Sequence, residues 1–261
     1  MRIAYFGLPL AALLLLEDGH ELTSVVLSPV DAPGRRRLGR RLAPSVPWLD
    51  ARAHTPEQIE ALIDATLRDT APELLVSWFW TRQLQARWLA VPPLGAIGVH
   101  PSLLPRHRGP DPYYAAIDAG DQETGVTVHV LEPTYDTGAI LAQRRLAVGE
   151  RNAWQLARAL DRPSLGALRE LLSSWAHGRA PAPRPQEESL ATWAPAPNGA
   201  QLQLDWSWDT ARMLRRIRAL TPLPGVSLEI DSVVFSVTRA SACPLTPELA
   251  AIEPGEAWVG E

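Results

Sequence analysis

Within its first 27 residues the chain reads as strand, helix, strand. Arg2 to Phe6 (RIAYF) is a short apolar, strand-favouring run that stops at Gly7. Pro9 to Leu16 reads as a helix closing at Asp18-Gly19-His20, and Leu22 to Leu27 (LTSVVL) is a second β-branched run. Two strands joined by one helix in so short a span form a βαβ unit, paired in parallel through a right-handed crossover. The region therefore belongs to an open α/β sheet. No G-x-G-x-x-G follows Gly7, so the phosphate-cradling turn of a dinucleotide enzyme is missing.

The pattern continues along the chain. Thr55-Pro56 opens a helix with apolar residues at Ile59, Leu62, Ile63 and Leu67. Glu73 to Trp78, Ala96 to Val99, Gly125 to Leu131 and Ile140 to Arg145 read as further strands. Trp154 to Trp175 reads as a long helical stretch broken near Pro163, and Ser28 to Pro47 as a loop that carries GRRRLGRR. The proline-rich stretch Ala180 to Pro197 reads as an extended, semi-rigid linker. Beyond it come a helix (Trp208 to Leu220) and a hairpin (Val226 to Ile230, Val233 to Val237). These boundaries divide the chain into a Rossmann-like domain over 1–185, a linker over 186–200 and a small α+β region over 201–261.

Of the 261 residues, 46% are hydrophobic and 21% charged, an ordinary globular balance. No apolar run approaches the ~20 residues of a membrane span, and the start shows no signal-peptide pattern, so a cytoplasmic protein is expected. The net charge of −4 does not suggest a nucleic-acid coat. Cys243 is the only cysteine, which excludes an intrachain disulfide and a multi-cysteine metal site. All 25 basic residues are arginine, so lysine chemistry is excluded as well.

The chemistry concentrates between Ala96 and Gln143. His100 and Asp136 each follow a strand, and ligands of open parallel sheets bind beyond the carboxyl ends of strands. The two are expected to meet there. A histidine with a carboxylate neighbour is a competent proton shuttle, because the carboxylate orients the ring and favours its charged form. The bland readings are a structural histidine and an aspartate that caps the Asp-Thr-Gly turn. His20, His54, His107 and His129 read as structural.

The segments HPSLLPRHRG, DAGDQETGVT and DTGAIL resemble the folate-dependent formyltransferases, and are most similar to those acting on methionyl-tRNA and on amino sugars. MRIAYFGLP, PQEESLATWAP and LDWSWDTARMLRRIRALTPLPG extend the resemblance over nearly the whole chain, in the same order. It implies a Rossmann-like catalytic domain followed by an OB-like barrel. It also implies direct formyl transfer from 10-formyl-tetrahydrofolate to an amine, with no metal. His100 matches the catalytic histidine and Asp136 the aspartate that positions it. The loop Ser102 to Gly109, with Ser102, Leu103, Leu104, Pro105 and Arg108, would lie beside the folate. Backbone groups around Asp136 to Ile140 (Thr137 and Gly138 among them), with the wall from Ser77 to Leu84 (Trp78 and Leu84 among them), would hold its pterin ring.

Two departures stand out. The family places Asn two residues before the histidine to donate to the developing oxyanion; here that position is Gly98. Loss of one such donor typically costs ~10²–10³ in kcat. The sequence therefore leaves three readings: a weak or altered formyltransferase on methionyl-tRNA, an amino-sugar or natural-product N-formyltransferase, and a folate-binding pseudoenzyme. On this reading Gly98→Asn is expected to raise transfer. Second, 36 residues follow Gly225, with two clear strands and a candidate third at Ala257 to Val259, whereas an OB barrel needs five. A short or incomplete barrel is expected. Arg35, Arg36, Arg37, Arg40 and Arg41 read either as a solvated loop or as a contact for phosphate of tRNA or of a nucleotide sugar. Arg212, Arg215 and Arg216 share one helix face, readable as an anion contact or as a solvated surface.

Overall fold

The structure is a computed structural model that describes residues 1–230, 233–244, 246 and 252. A seven-stranded sheet forms its centre. In chain order the elements are β1 (Arg2–Gly7), α1 (Pro9–Glu17), β2 (Glu21–Leu27), α2 (Arg35–Arg41), β3 (Trp48–Asp50), α3 (Pro56–Thr70) and β4 (Leu74–Trp78). Then come α4 (Ala86–Leu89), β5 (Ala96–His100), α5 (Pro112–Asp118), β6 (Glu123–Val130), β7 (Ile140–Ala147) and α6 (Ala153–Ala176). The order across the sheet is β3-β2-β1-β4-β5-β6-β7. The first five of these strands are parallel; β6 and β7 run antiparallel. This is the expected Rossmann-like layering, a mostly parallel sheet between helices.

Alternation along the strands builds two cores, one on each face. On β1, Ile3 and Tyr5 join the core under α1, α5 and α6, while Ala4 and Phe6 join the core under α3 and α4. The same alternation puts Trp78 and Ile97 on the first face and Ala96 on the second.

Three readings of the sequence need correction. GRRRLGRR is helix α2 and not a loop: its Leu38 is fully buried, and Arg35 donates to the carbonyls of Ser28 and Val30 and pairs with Asp50. Helix α6 runs unbroken through Pro163 for 24 residues, opened by an Asn152–Gln155 capping box. Strand β3 was not read at all; its three residues are too few to show a period. The described carboxy-terminal part holds α7 (Thr210–Ala219) and the hairpin β8 (Val226–Ile230) and β9 (Val233–Val237). The candidate third strand at 257–259 lies outside the described residues. Helix α7 is fastened to the sheet domain by Arg216, which is buried, pairs with both oxygens of Asp118 at 2.6 and 2.9 Å and stacks on Trp208. Arg212 also lies over Trp208. Arg216 is thus an internal tie and not an anion contact.

Candidate active site

Gly98 and His100 are two apart on β5 and so face the same side of the sheet. On the neighbouring antiparallel strand His129 pairs directly with Gly98, which brings its ring to that side as well. Loops after β4 and β6 close over these residues and leave a cavity of about 400 Å³. Its walls include Phe79, Trp80, Leu84, Leu131, Tyr135 and Trp193.

His100 is buried, with one nitrogen turned to the backbone and one to a carboxylate. Its Nε2 lies 2.7 Å from the His107 carbonyl, and its Nδ1 lies 3.5 Å from Asp136 Oδ2. A carbonyl only accepts, so the Nε2 proton donates to it. Asp136 Oδ2 also accepts the Gly109 N–H at 2.8 Å, and Oδ1 faces His129 Nε2 at 3.6 Å. One carboxylate therefore sits between two imidazoles. Asp136 holds φ +57°, a left-handed conformation that aspartate tolerates better than most side chains.

The proline-rich segment braces this arrangement and is no free spacer. Gln186 donates from Nε2 to the carbonyls of Asp136 and Gly138, both at 2.7 Å. Its Oε1 accepts from Arg108, which also pairs with Glu188. The backbone of Arg108 exchanges hydrogen bonds with Thr192 and Ala194. Arg108 is therefore tied to the linker. Two glycines are required by close approach: a Cβ at Gly138 would fall 1.9 Å from the Val130 carbonyl, and one at Gly109, where φ is +109°, would press on Trp193.

Of the residues singled out from sequence, Gly98, His100, Asp136 and Leu84 line the cavity. Trp78 does not. Alternation turns its ring to the opposite face, where Nε1 donates to Ser164 of α6 at 2.9 Å, while Ser77 and Phe79 to Leu84 of the expected wall do line the cavity. Ser102, Leu103, Leu104 and Pro105 also stay off the wall. The Thr127 hydroxyl donates to the Ser102 carbonyl and accepts from the Leu104 N–H, so this stretch is interior scaffold. Thr137 bonds within its own turn, to Glu132 and the Thr134 carbonyl. Arg35 is an internal tie and Arg37 pairs with Glu17, while Arg36, Arg40 and Arg41 are exposed.

His129 and Gln186 were missed as site residues. The signal for His129 was its register opposite Gly98, which strand alternation alone leaves open. Nothing local distinguishes Gln186. His107, by contrast, does not line the cavity, and its Nε2 lies 2.7 Å from Asp121.

Known proteins place this geometry in context. The sequence model of the family described as formyl transferase matches residues 10–159. The methionyl-tRNA formyltransferase of Chloroflexus aurantiacus is 38% identical over 236 residues, covering 86% of this chain and 75% of its own. A sugar N-formyltransferase from a Shewanella species superposes with a TM-score of 0.67 at 14% identity, over 94% of this chain and 99% of that one. HypX from Aquifex aeolicus in complex with tetrahydrofolic acid superposes with a TM-score of 0.62 at 24% identity, over 81% of this chain and 36% of that one. At these identities the two structures share its fold.

Proposed function

The chain belongs to the formyl transferase family and is a formyl-transferring enzyme, and on that premise we propose that it carries a formyl group from 10-formyl-tetrahydrofolate to the amino group of methionyl-tRNA. The observation that carries this reading is the His100–Asp136 pair at the wall of an aromatic-lined cavity. The 38% identity to a methionyl-tRNA formyltransferase over three quarters of that enzyme favours the tRNA acceptor.

The chemistry asks for little beyond position and proton transfer. The amine attacks the formyl carbon and its proton must reach the departing N10 of the folate. His100 serves as proton carrier, because a proton at Nδ1 finds the Asp136 carboxylate. Asp136 fixes the ring, and Gln186 fixes Asp136. The flat walls offered by Phe79, Trp80 and Tyr135 suit a pterin ring. The exposed Arg36, Arg40 and Arg41 of α2 would meet tRNA phosphates.

Calorimetric titration with 5-formyl-tetrahydrofolate tests the donor half. One-to-one binding that is lost in Leu84→Arg supports it. No binding at high ligand concentration overturns it.

A further inference from the structure

His129 presents one nitrogen to the backbone and the other to the cavity. Its Nδ1 lies 2.8 Å from the Val130 carbonyl, so Nδ1 carries the proton and Nε2 of the neutral ring offers a lone pair. Nε2 faces Asp136 Oδ1 across 3.6 Å, two acceptors beside one gap. Gly98 leaves that gap open: a Cβ there would stand 3.5 Å from Nε2. Burial pushes the His129 ring down to about 4, against the pull of Asp136 and Glu132 and with the repulsion of His100. The ring is therefore neutral at neutral pH. His100, in contrast, spends Nε2 on the His107 carbonyl.

Two adjacent acceptors complement a group with two donors and one lone pair. A primary amine is such a group. Donating one N–H to His129 Nε2 and the other to Asp136 Oδ1, it keeps its lone pair free to attack.

We propose that His129, with Asp136, holds the nucleophilic amine of the acceptor and takes its proton as the new bond forms. The inference rests on the formyl-transfer reading. The amine lone pair forms the C–N bond, the formyl π pair moves onto oxygen, and one amine proton passes to Nε2. The carbonyl then re-forms as the C–N10 bond breaks. Asp136, with one oxygen toward each ring, relays the proton from His129 Nε2 to His100 Nδ1. The pair from the broken bond goes to N10, which takes that proton from His100 Nδ1, so both rings end as they began.

The test compares His129→Gln and His129→Leu in transfer from 10-formyl-tetrahydrofolate to methionyl-tRNA, with 5-formyl-tetrahydrofolate titration as the control of folding. A Gln carbonyl oxygen accepts an N–H but takes up no proton. We expect His129→Gln to keep the acceptor KM within about threefold and to lose about a hundredfold in kcat. His129→Leu raises the acceptor KM as well. An unchanged kcat in His129→Gln overturns the proposal, as does equal loss of folate binding and transfer in both variants. Nitrogen-15 spectra of the histidine-labelled protein give a readout independent of activity: a neutral His129 ring with its proton on Nδ1 is expected at pH 7, and an imidazolium or an Nε2–H ring overturns the proposal. Absence of transfer by the unaltered enzyme overturns the formyl-transfer reading itself, and this inference with it.

Discussion

At the scale of single residues, the site is organised around what Gly98 lacks. From the sequence, the missing side chain is a lost oxyanion donor, and Gly98→Asn is the natural repair. The packing argues the other way. A Cβ at this position would fall 2.6 Å from Leu131 Cδ2 and beside His129 Nε2. Leu131 must move, and the new side chain would fill the gap between His129 and Asp136. Gly98→Asn is expected to cost about 1–3 kcal/mol of stability through overpacking and to lower transfer. Urea titration and steady-state kinetics measure both; faster transfer would show that an oxyanion donor was what the site lacked. The buried histidines give a second expectation. Burial lowers the affinity of His20, His107 and His129 for a proton. In the unfolded chain such rings titrate near 6.5. Below about that pH the unfolded state binds protons that the folded state refuses, so stability falls as pH drops toward about 4, where His129 itself charges. The urea midpoint should decline between pH 7 and pH 5, and His129→Gln should flatten the decline.

At the scale of elements, the βαβ start, the strands β4 to β7 and the carboxy-terminal helix and hairpin were legible because each carries its own period or its own turn. So was the meeting of His100, at the end of β5, with Asp136, in the loop after β6, since both lie inside recognisable motifs. What escaped notice depends on partners remote in sequence. Helix α2 is held by the buried Leu38 and by Arg35 reaching Asp50, and neither leaves a local signature in GRRRLGRR. Trp78 looked like a cavity wall, but one step of strand alternation sends it to the opposite core. The segment after α6 looked like a spacer because prolines and polar residues write spacers and bracing straps alike. Its bracing role rests on Gln186, fifty residues from the carbonyl of Asp136 that it holds. Gln186→Leu should leave those carbonyls and the Arg108 guanidinium short of partners, costing about 1–3 kcal/mol. It should lower kcat more than it raises the folate KM, because Asp136 and not the aromatic part of the wall is disturbed. Thermal unfolding and kinetics of this variant check the two halves separately, and an unchanged kcat would reduce Gln186 to a tie of the linker alone.

At the scale of the whole molecule, both faces of the sheet are packed, one under α1, α5 and α6 and the other under α3 and α4, and the cavity opens at the carboxyl ends of β4 and β5. The linker crosses back to brace the turn that carries Asp136 before the chain passes into α7, which Arg216 and Asp118 pin against α5. The described carboxy-terminal part is therefore tied to the sheet domain through the linker and through α7. The most direct test supplies the enzyme with 10-formyl-tetrahydrofolate carrying a labelled formyl group and offers methionyl-tRNA and a nucleotide-linked amino sugar in parallel. The label should appear on the methionyl amine of the tRNA, and His100→Ala should abolish its transfer. Label on the sugar alone would contradict the tRNA acceptor, and no transfer to either amine while folate still binds would contradict the catalytic account as a whole.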